Sequence, residues 1–461
     1  MDRAQIRRQL YQKYIEPTKV RRRKYIGIEI EMPVVNLSGG ATDYALTQAA
    51  AAAFCRQFGF LEEKFDDNGV CYSASCPQTG DNLSFDCAYN NMELSLGKEV
   101  SLDPLNARFQ RYVSFLNGFL EKAGHLLTGL GINPNRAVNR RDYIPTERYR
   151  MLEHYLLKYK DWDVPQMRFH PYPDFGAFSS ASQVQLDIDY EDLISVLKGQ
   201  ALLEPVKAVL FANSLMDEEP HLLCVRDMLW ENSTHGINPH NIGMFEYGPD
   251  DADDLLEYIC TTSIFCTMRD GHYLCFYPVP IMDYLEADEI RGEMFRDGTW
   301  QEMTFAPQSD DLAYLRTYKH EDLTYRGTIE FRSACCQPFS EAMCVAAFHM
   351  GLVQKADELT ELLENDRVLY HHGYGAPEMR KLMSQRYWPS FIDRGALSDL
   401  CCSVLDLASE GLRQIGYGDE KYLAPLYRRA RTLVSPAREM REALEKGVPM
   451  ETIVRRYAAL T

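Results

Sequence analysis

Tyr25-Ile26-Gly27-Ile28-Glu29-Ile30-Glu31 alternates strictly between apolar and small or acidic residues. Side chains of a strand alternate faces, so Ile26, Ile28 and Ile30 share one side while Gly27, Glu29 and Glu31 share the other. The two carboxylates then stand about 7 Å apart along the strand. Like charges that close repel unless the face is open to water or a cation lies between them. Alone, the stretch fits either an amphipathic strand with a wet face or half of a divalent-metal site built from hard oxygen ligands. Other strands with matching polar faces decide between the two.

Three further stretches repeat the pattern. Asn91, Glu93 and Ser95 oppose Met92 and Leu94; Gln183, Gln185, Asp187 and Asp189 oppose Val184, Leu186, Ile188 and Tyr190; Thr328, Glu330 and Arg332 oppose Ile329 and Phe331. The four strands, 25–31, 91–95, 183–189 and 328–332, describe one sheet with helices covering its back and an open polar front, an α+β fold. On that front Glu29, Glu31, Glu93 and Glu330 form an oxygen set for two Mg²⁺ or Mn²⁺ ions, which would bridge the β- and γ-phosphates of a nucleotide. Arg332, two residues from Glu330, is either a cation for a phosphate or that carboxylate's salt-bridge partner. The chain has no GxxxxGK(S/T) loop and no GxGxxG after a strand, which disfavours the common nucleotide folds.

Helical periodicity is expected over about 43–58, 101–123, 146–159 and 190–212, and nearly everywhere after Phe339. The expected organisation is an N-terminal helical flank at 1–24, a catalytic sheet domain at 25–340 and a helical subdomain at 341–461 packed on it. The run Arg21-Arg22-Arg23-Lys24 reads as a solvated turn. With 461 residues and 46% hydrophobic content the core is ample. A net charge of −18 and a pI near 5.1 argue against nucleic acid or an anionic membrane as the main partner. No apolar run is long enough to predict a membrane span. Thirteen cysteines, with no CxxC and no Cys/His spacing suited to zinc, point with the lack of a secretory signal to reduced thiols in a cytoplasm.

Taken in order, the motifs resemble those of the plant-type and proteobacterial glutamate–cysteine ligases and related carboxylate–amine ligases. They are Gly27-Ile28-Glu29-Ile30-Glu31, Met92-Glu93-Leu94-Ser95, Gly131-Ile132-Asn133-Pro134, Pro145-Thr146-Glu147-Arg148-Tyr149-Arg150-Met151, Gln183-Val184-Gln185-Leu186-Asp187, Arg226 with Trp230, and Thr328-Ile329-Glu330-Phe331-Arg332. The chain departs from the family at Gln185, where Asn is usual, and at Ser333-Ala334-Cys335-Cys336-Gln337, where an acidic residue usually follows.

The resemblance implies a glutamine-synthetase-like, largely antiparallel sheet and ATP-dependent ligation. In that scheme the γ-carboxylate of glutamate attacks the γ-phosphorus of ATP, and an amine, cysteine by default, displaces phosphate from the acyl phosphate. Glu29, Glu31, Glu93 and Glu330 would hold the metals, and Arg332 would balance charge on the transferred phosphoryl. Gln183 and Gln185 would face the nucleotide or the amino acid. Arg226 would bind the α-carboxylate of glutamate, with Trp230 beside it. Other readings are a ligase for another amine, a guanidino-type phosphotransferase, and a non-catalytic regulatory protein on the same fold.

Overall fold

The computed structural model describes residues 1–21, 23–245 and 248–461. Its strands, in chain order, are β1 (Ile26–Asn36), β2 (Leu61–Phe65), β3 (Cys71–Ser75), β4 (Asn82–Phe85), β5 (Asn91–Glu99), β6 (His125–Leu127), β7 (Ser182–Asp187), β8 (Ile242–Gly243), β9 (Ser263–Arg269), β10 (His272–Pro280), β11 (Ile290–Arg296), β12 (Thr299–Phe305), β13 (Tyr318–Lys319), β14 (Glu321–Leu323) and β15 (Thr328–Phe331). The main sheet runs β14-β15-β7-β1-β5-β4-β3-β2, with β6 paired to the far end of β1. Every pair in it is antiparallel. The four stretches with alternating faces are therefore consecutive strands, β15, β7, β1 and β5, with β1 at the centre.

Alternation does what the pattern requires on the back of this sheet. Ile28, Ile30, Leu94, Val184, Ile329 and Phe331 are all buried there. Helix Leu102–Leu120 lays Leu105, Phe109, Val113 and Leu116 on β5, and helix Cys344–Val353 packs on β7 and β1. Each such aliphatic or aromatic side chain contributes about 1.5–3 kcal/mol on burial, so the back supplies the sheet's cohesion.

The front is not open, and this corrects the expectation from sequence. Helix Glu147–Leu157, capped by the Thr146 hydroxyl, packs against β10 and lies over the polar face, and Tyr155 stacks on Phe265 of β9 at 4.2 Å. It belongs to a second layer, the antiparallel sheet β12-β11-β10-β9. Its hairpins turn on Asp270-Gly271 and Asp297-Gly298, where all four residues have positive φ. Asp-Gly is the strongest short hairpin signal, yet the surrounding charge hides the strand alternation.

Smaller boundaries also move. The helical region expected after Phe339 opens with two separate helices, Cys344–Val353 and Ala356–Glu364. In the basic run Lys24 pairs with Asp189 at 2.7 Å and Arg21 is exposed, while Arg22 lies outside the described residues. Glu246 and Tyr247 likewise lie outside them.

Helix Arg394–Ile415 crosses Cys344–Val353 at two glycines, where a Cβ on Gly411 would stand 2.0 Å from the Gly351 carbonyl oxygen. Backbone cannot yield that far without separating the helices. Gly411→Ala is therefore expected to lose about 1–3 kcal/mol, read as a lower urea midpoint at unchanged slope.

Candidate active site

Strand register assembles the site. Glu31 of β1 stands opposite Glu93 of β5, Glu29 opposite Gln183 of β7, and Glu330 of β15 opposite Gln185. The strand pairing also brings in Asp86, just past the end of β4, and carboxylate oxygens of Glu31, Asp86 and Glu93 all lie within 4.8 Å of one another. The Ala181 amide donates to Glu31 Oε2 at 2.7 Å and Gln183 Nε2 donates to Glu31 Oε1 at 2.8 Å. Ser95 Oγ donates to Glu93 at 2.8 Å, and Gln185 Nε2 to Glu29 at 3.3 Å. These few donors do not balance the charge.

The imbalance appears in the protonation equilibria. Burial, and then the neighbouring Asp86 charge, push the Glu31 carboxyl up to about 8 and that of Glu93 up to about 7. Glu29 is raised well above the usual carboxylate range by burial, Glu93 and Glu330, and Asp86 is raised by burial.

Two cavities open on this cluster. The first, about 210 Å³, is lined by Glu29, Glu31, Asp86 and Glu93, by Arg148, Arg226 and Arg332, and by an aromatic end formed from Phe175, Trp230, His235 and Tyr318. The second, about 720 Å³, holds Arg316, Arg326 and Glu330. Arg148, Leu152, Tyr318 and Arg332 line both and form a common wall. Within that wall Arg332 pairs with Glu330 at 2.8 Å, so the ion pair and the place at a cavity edge coexist.

Arg226 and Trp230 lie one turn apart on helix Val225–Glu231. Arg226 is buried, donates through Nη1 to the Ala334 carbonyl at 3.3 Å, and has no partner at Nε among the described residues. Trp230 packs 5.0 Å from the Phe175 ring and 4.9 Å from that of Tyr318. Burial brings His235 down to about 3, so it stays neutral. Gln185 lines neither of these cavities and accepts from Arg326 at 2.6 Å. Cys335 and Cys336 are fully buried.

The structure thus brings Glu29, Glu31, Glu93, Gln183, Arg226, Trp230 and Arg332 to one cavity, and sets Glu330 on the adjoining one with Gln185 beside it. Two residues were missed from sequence. Asp86 closes the alternation Asn82-Leu83-Ser84-Phe85-Asp86, a readable polar row on a strand too short to attract notice. Arg148 stands inside a motif whose arginine had been assigned no role.

Half-buried carboxylates set against arginines from separate elements make a site whose chemistry is compatible with anionic ligands and with hard divalent cations. A family model described as glutamate-cysteine ligase family 2 matches residues 25–458, and the chain belongs to that family. Among its relatives, the chloroplastic glutamate–cysteine ligase of Brassica juncea is 23% identical over 365 residues, covering 76% of this chain and 64% of the relative. Those of Nicotiana tabacum and Arabidopsis thaliana are each 22% identical, over 367 and 362 residues, with 76% of this chain and 63% of the relative covered. The matched stretch thus spans less than two thirds of each relative's length. A crystal structure of a glutamate–cysteine ligase from Francisella tularensis in complex with AMP aligns at a TM-score of 0.48 and 11% identity, covering 94% of this chain and 88% of that one. A bifunctional glutathione synthetase from Pasteurella multocida aligns at 0.42 and 12%, covering 98% and 52%.

The raised carboxyls make stability pH-dependent. As pH rises from about 4.5, unfolded chains release these protons while the folded chain keeps them, so the unfolded state binds fewer protons and stability falls until about pH 8. Urea midpoints measured in chelator are expected to fall across that window. Glu31→Gln should flatten the fall, and millimolar Mg²⁺ should reverse it for the wild type alone.

Proposed function

We propose that the chain is an ATP-dependent carboxylate–amine ligase that joins the γ-carboxylate of glutamate to an amine, cysteine in the first instance, through a γ-glutamyl phosphate. The observation that carries this reading is the pair of cavities meeting at Arg148 and Arg332, with the carboxylate trio in one and Glu330 in the other. Family membership supports it. So does the wholly antiparallel main sheet, which suits a glutamine-synthetase-like fold. In this reading 25–340 is the catalytic sheet domain and 341–461 a helical subdomain. Thirteen free cysteines are in keeping with a cytoplasmic setting.

A carboxylate does not acylate an amine because its oxygen leaves poorly, and phosphorylation removes that obstacle. The donor set fits Mg²⁺ or Mn²⁺, being oxygen only, half-buried and short of positive charge. Glu31, Asp86 and Glu93 would hold one ion, with Glu29 and Glu330 toward the nucleotide. Such ions, when bound, neutralise β- and γ-phosphate charge. The chain's own residues do the rest. The larger cavity, with Arg316 and Arg326, takes the nucleotide, and Arg332, oriented by Glu330, faces the transferred phosphoryl with Arg148. Arg226 binds the α-carboxylate of glutamate, and Trp230 shapes the cavity beside it. The roofed front keeps water from the acyl phosphate, which hydrolysis would waste.

With purified protein, MgATP and amino acids, ADP is expected only when glutamate and an amine are both present, with the amide seen by mass spectrometry. A released phosphorylated product would identify a phosphotransferase instead, and no turnover with any acid and amine would defeat the ligase reading. Glu93→Gln, which removes a carboxylate that would hold the ion, and Arg332→Ala, which removes a cation facing the reacting phosphoryl, are each expected to lower kcat by about 10²–10³-fold.

A further inference from the structure

We propose that Arg380 is a positioning residue that holds two walls of the first cavity together and masks the charge of Asp227 from the substrate; the inference rests on reading that cavity as the amino-acid site. Arg380 comes from helix Ala376–Met383, far along the chain from the motif strands, and lines neither cavity described above. It is 3% exposed.

Its guanidinium is used on every side. Nε and Nη2 donate to the two carboxylate oxygens of Asp227 at 2.9 and 3.0 Å. Nη1 donates to the Glu204 carbonyl at 3.0 Å and to the Glu204 carboxylate, and Nη2 also reaches the Ser333 carbonyl at 3.5 Å. Glu204 in turn accepts from Ser333 Oγ at 2.8 Å. Asp227 follows Arg226 on its helix, and Ser333 follows Arg332 at the end of β15. One planar fork therefore fixes the element carrying Arg226 relative to the element carrying Arg332.

Two physical arguments give this fork a purpose beyond cohesion. A buried guanidinium between two carboxylates is a costly way to pack helices, because desolvation offsets most of the attraction and apolar side chains serve as well. Asp227 also lines the cavity that Arg226 lines. Without the fork its carboxylate would repel an anionic substrate and compete with it for Arg226. Lysine restores the charge but not the bidentate geometry.

The test is Arg380→Lys, assayed with L-glutamate, L-cysteine and MgATP and followed by hydrogen exchange. The KM for glutamate is expected to rise about 10-fold or more while the KM for MgATP stays within about 2-fold, since a misplaced binding group penalises only the ligand it positions. Adding Asp227→Asn should recover part of the glutamate KM, because it removes the charge left unmasked. Lower thermal stability with both KM values unchanged, or equal rises in both, would overturn the proposal.

Exchange separates this proposal from the ligase reading. Faster exchange across 225–231 and 332–334 in Arg380→Lys supports the positioning role even where glutamate is not turned over, and unchanged exchange there defeats it. If Arg380→Lys does not fold, Asp227→Asn alone decides by the same exchange at 225–231.

Discussion

The fold is arranged around a repulsion. Glu29, Glu31, Asp86 and Glu93 are brought to one face of a sheet and roofed over, and their raised protonation equilibria are the measure of what that costs. The cross-strand hydrogen bonds that Gln183 and Gln185 donate to Glu31 and Glu29 are a small part of what holds the sheet together. Cohesion comes from the opposite side, where the alternate residues of the same strands are buried under helices Leu102–Leu120 and Cys344–Val353. Each strand carries both tasks at once, which is why strict alternation recurs in all four.

Arginines make the face tolerable without neutralising it. Desolvation works against both Arg148 and Arg332, yet their neighbours, Tyr149 and Tyr318 first for Arg148 and Glu330 first for Arg332, hold them above the ordinary guanidinium range, so both remain cationic. The first cavity nevertheless counts six carboxyl residues, Asp227 and Glu231 included, against three arginines. That surplus of carboxyl groups leaves the cavity in want of positive charge or of protons. Arg380 removes Asp227 from that surplus by pairing it from behind the wall.

Much of this was legible in the sequence. Period-two alternation located β1, β5, β7 and β15, and it correctly put Glu29, Glu31, Glu93 and Glu330 on one face, because on a half-buried strand the pattern is enforced residue by residue. The helix over 146–159 was legible as an element, but its place as part of a roof over the polar face was not. The roof is built from β9 to β12 and helix Glu147–Leu157, and hairpin β11–β12 is so charged and exposed that no apolar row marks it. Asp86 escaped for a related reason: it stands one residue beyond a strand of only four, and its partnership with Glu31 and Glu93 exists only through the β4–β5–β1 register.

The roof changes what the carboxylates are. On an open face Glu29 and Glu31 would be hydrated, near their ordinary protonation range, and would need no cation. Under helix Glu147–Leu157 they lose that hydration, and the same residues become a site whose charge must be met by arginine, metal or proton. That helix also delivers Arg148 and Leu152 to the wall shared by the two cavities. A single element therefore both creates the demand for positive charge and supplies part of it, at the place where the two cavities meet. The polar faces read from sequence become an enclosed, charged cavity only because a segment with no polar strand of its own closes over them.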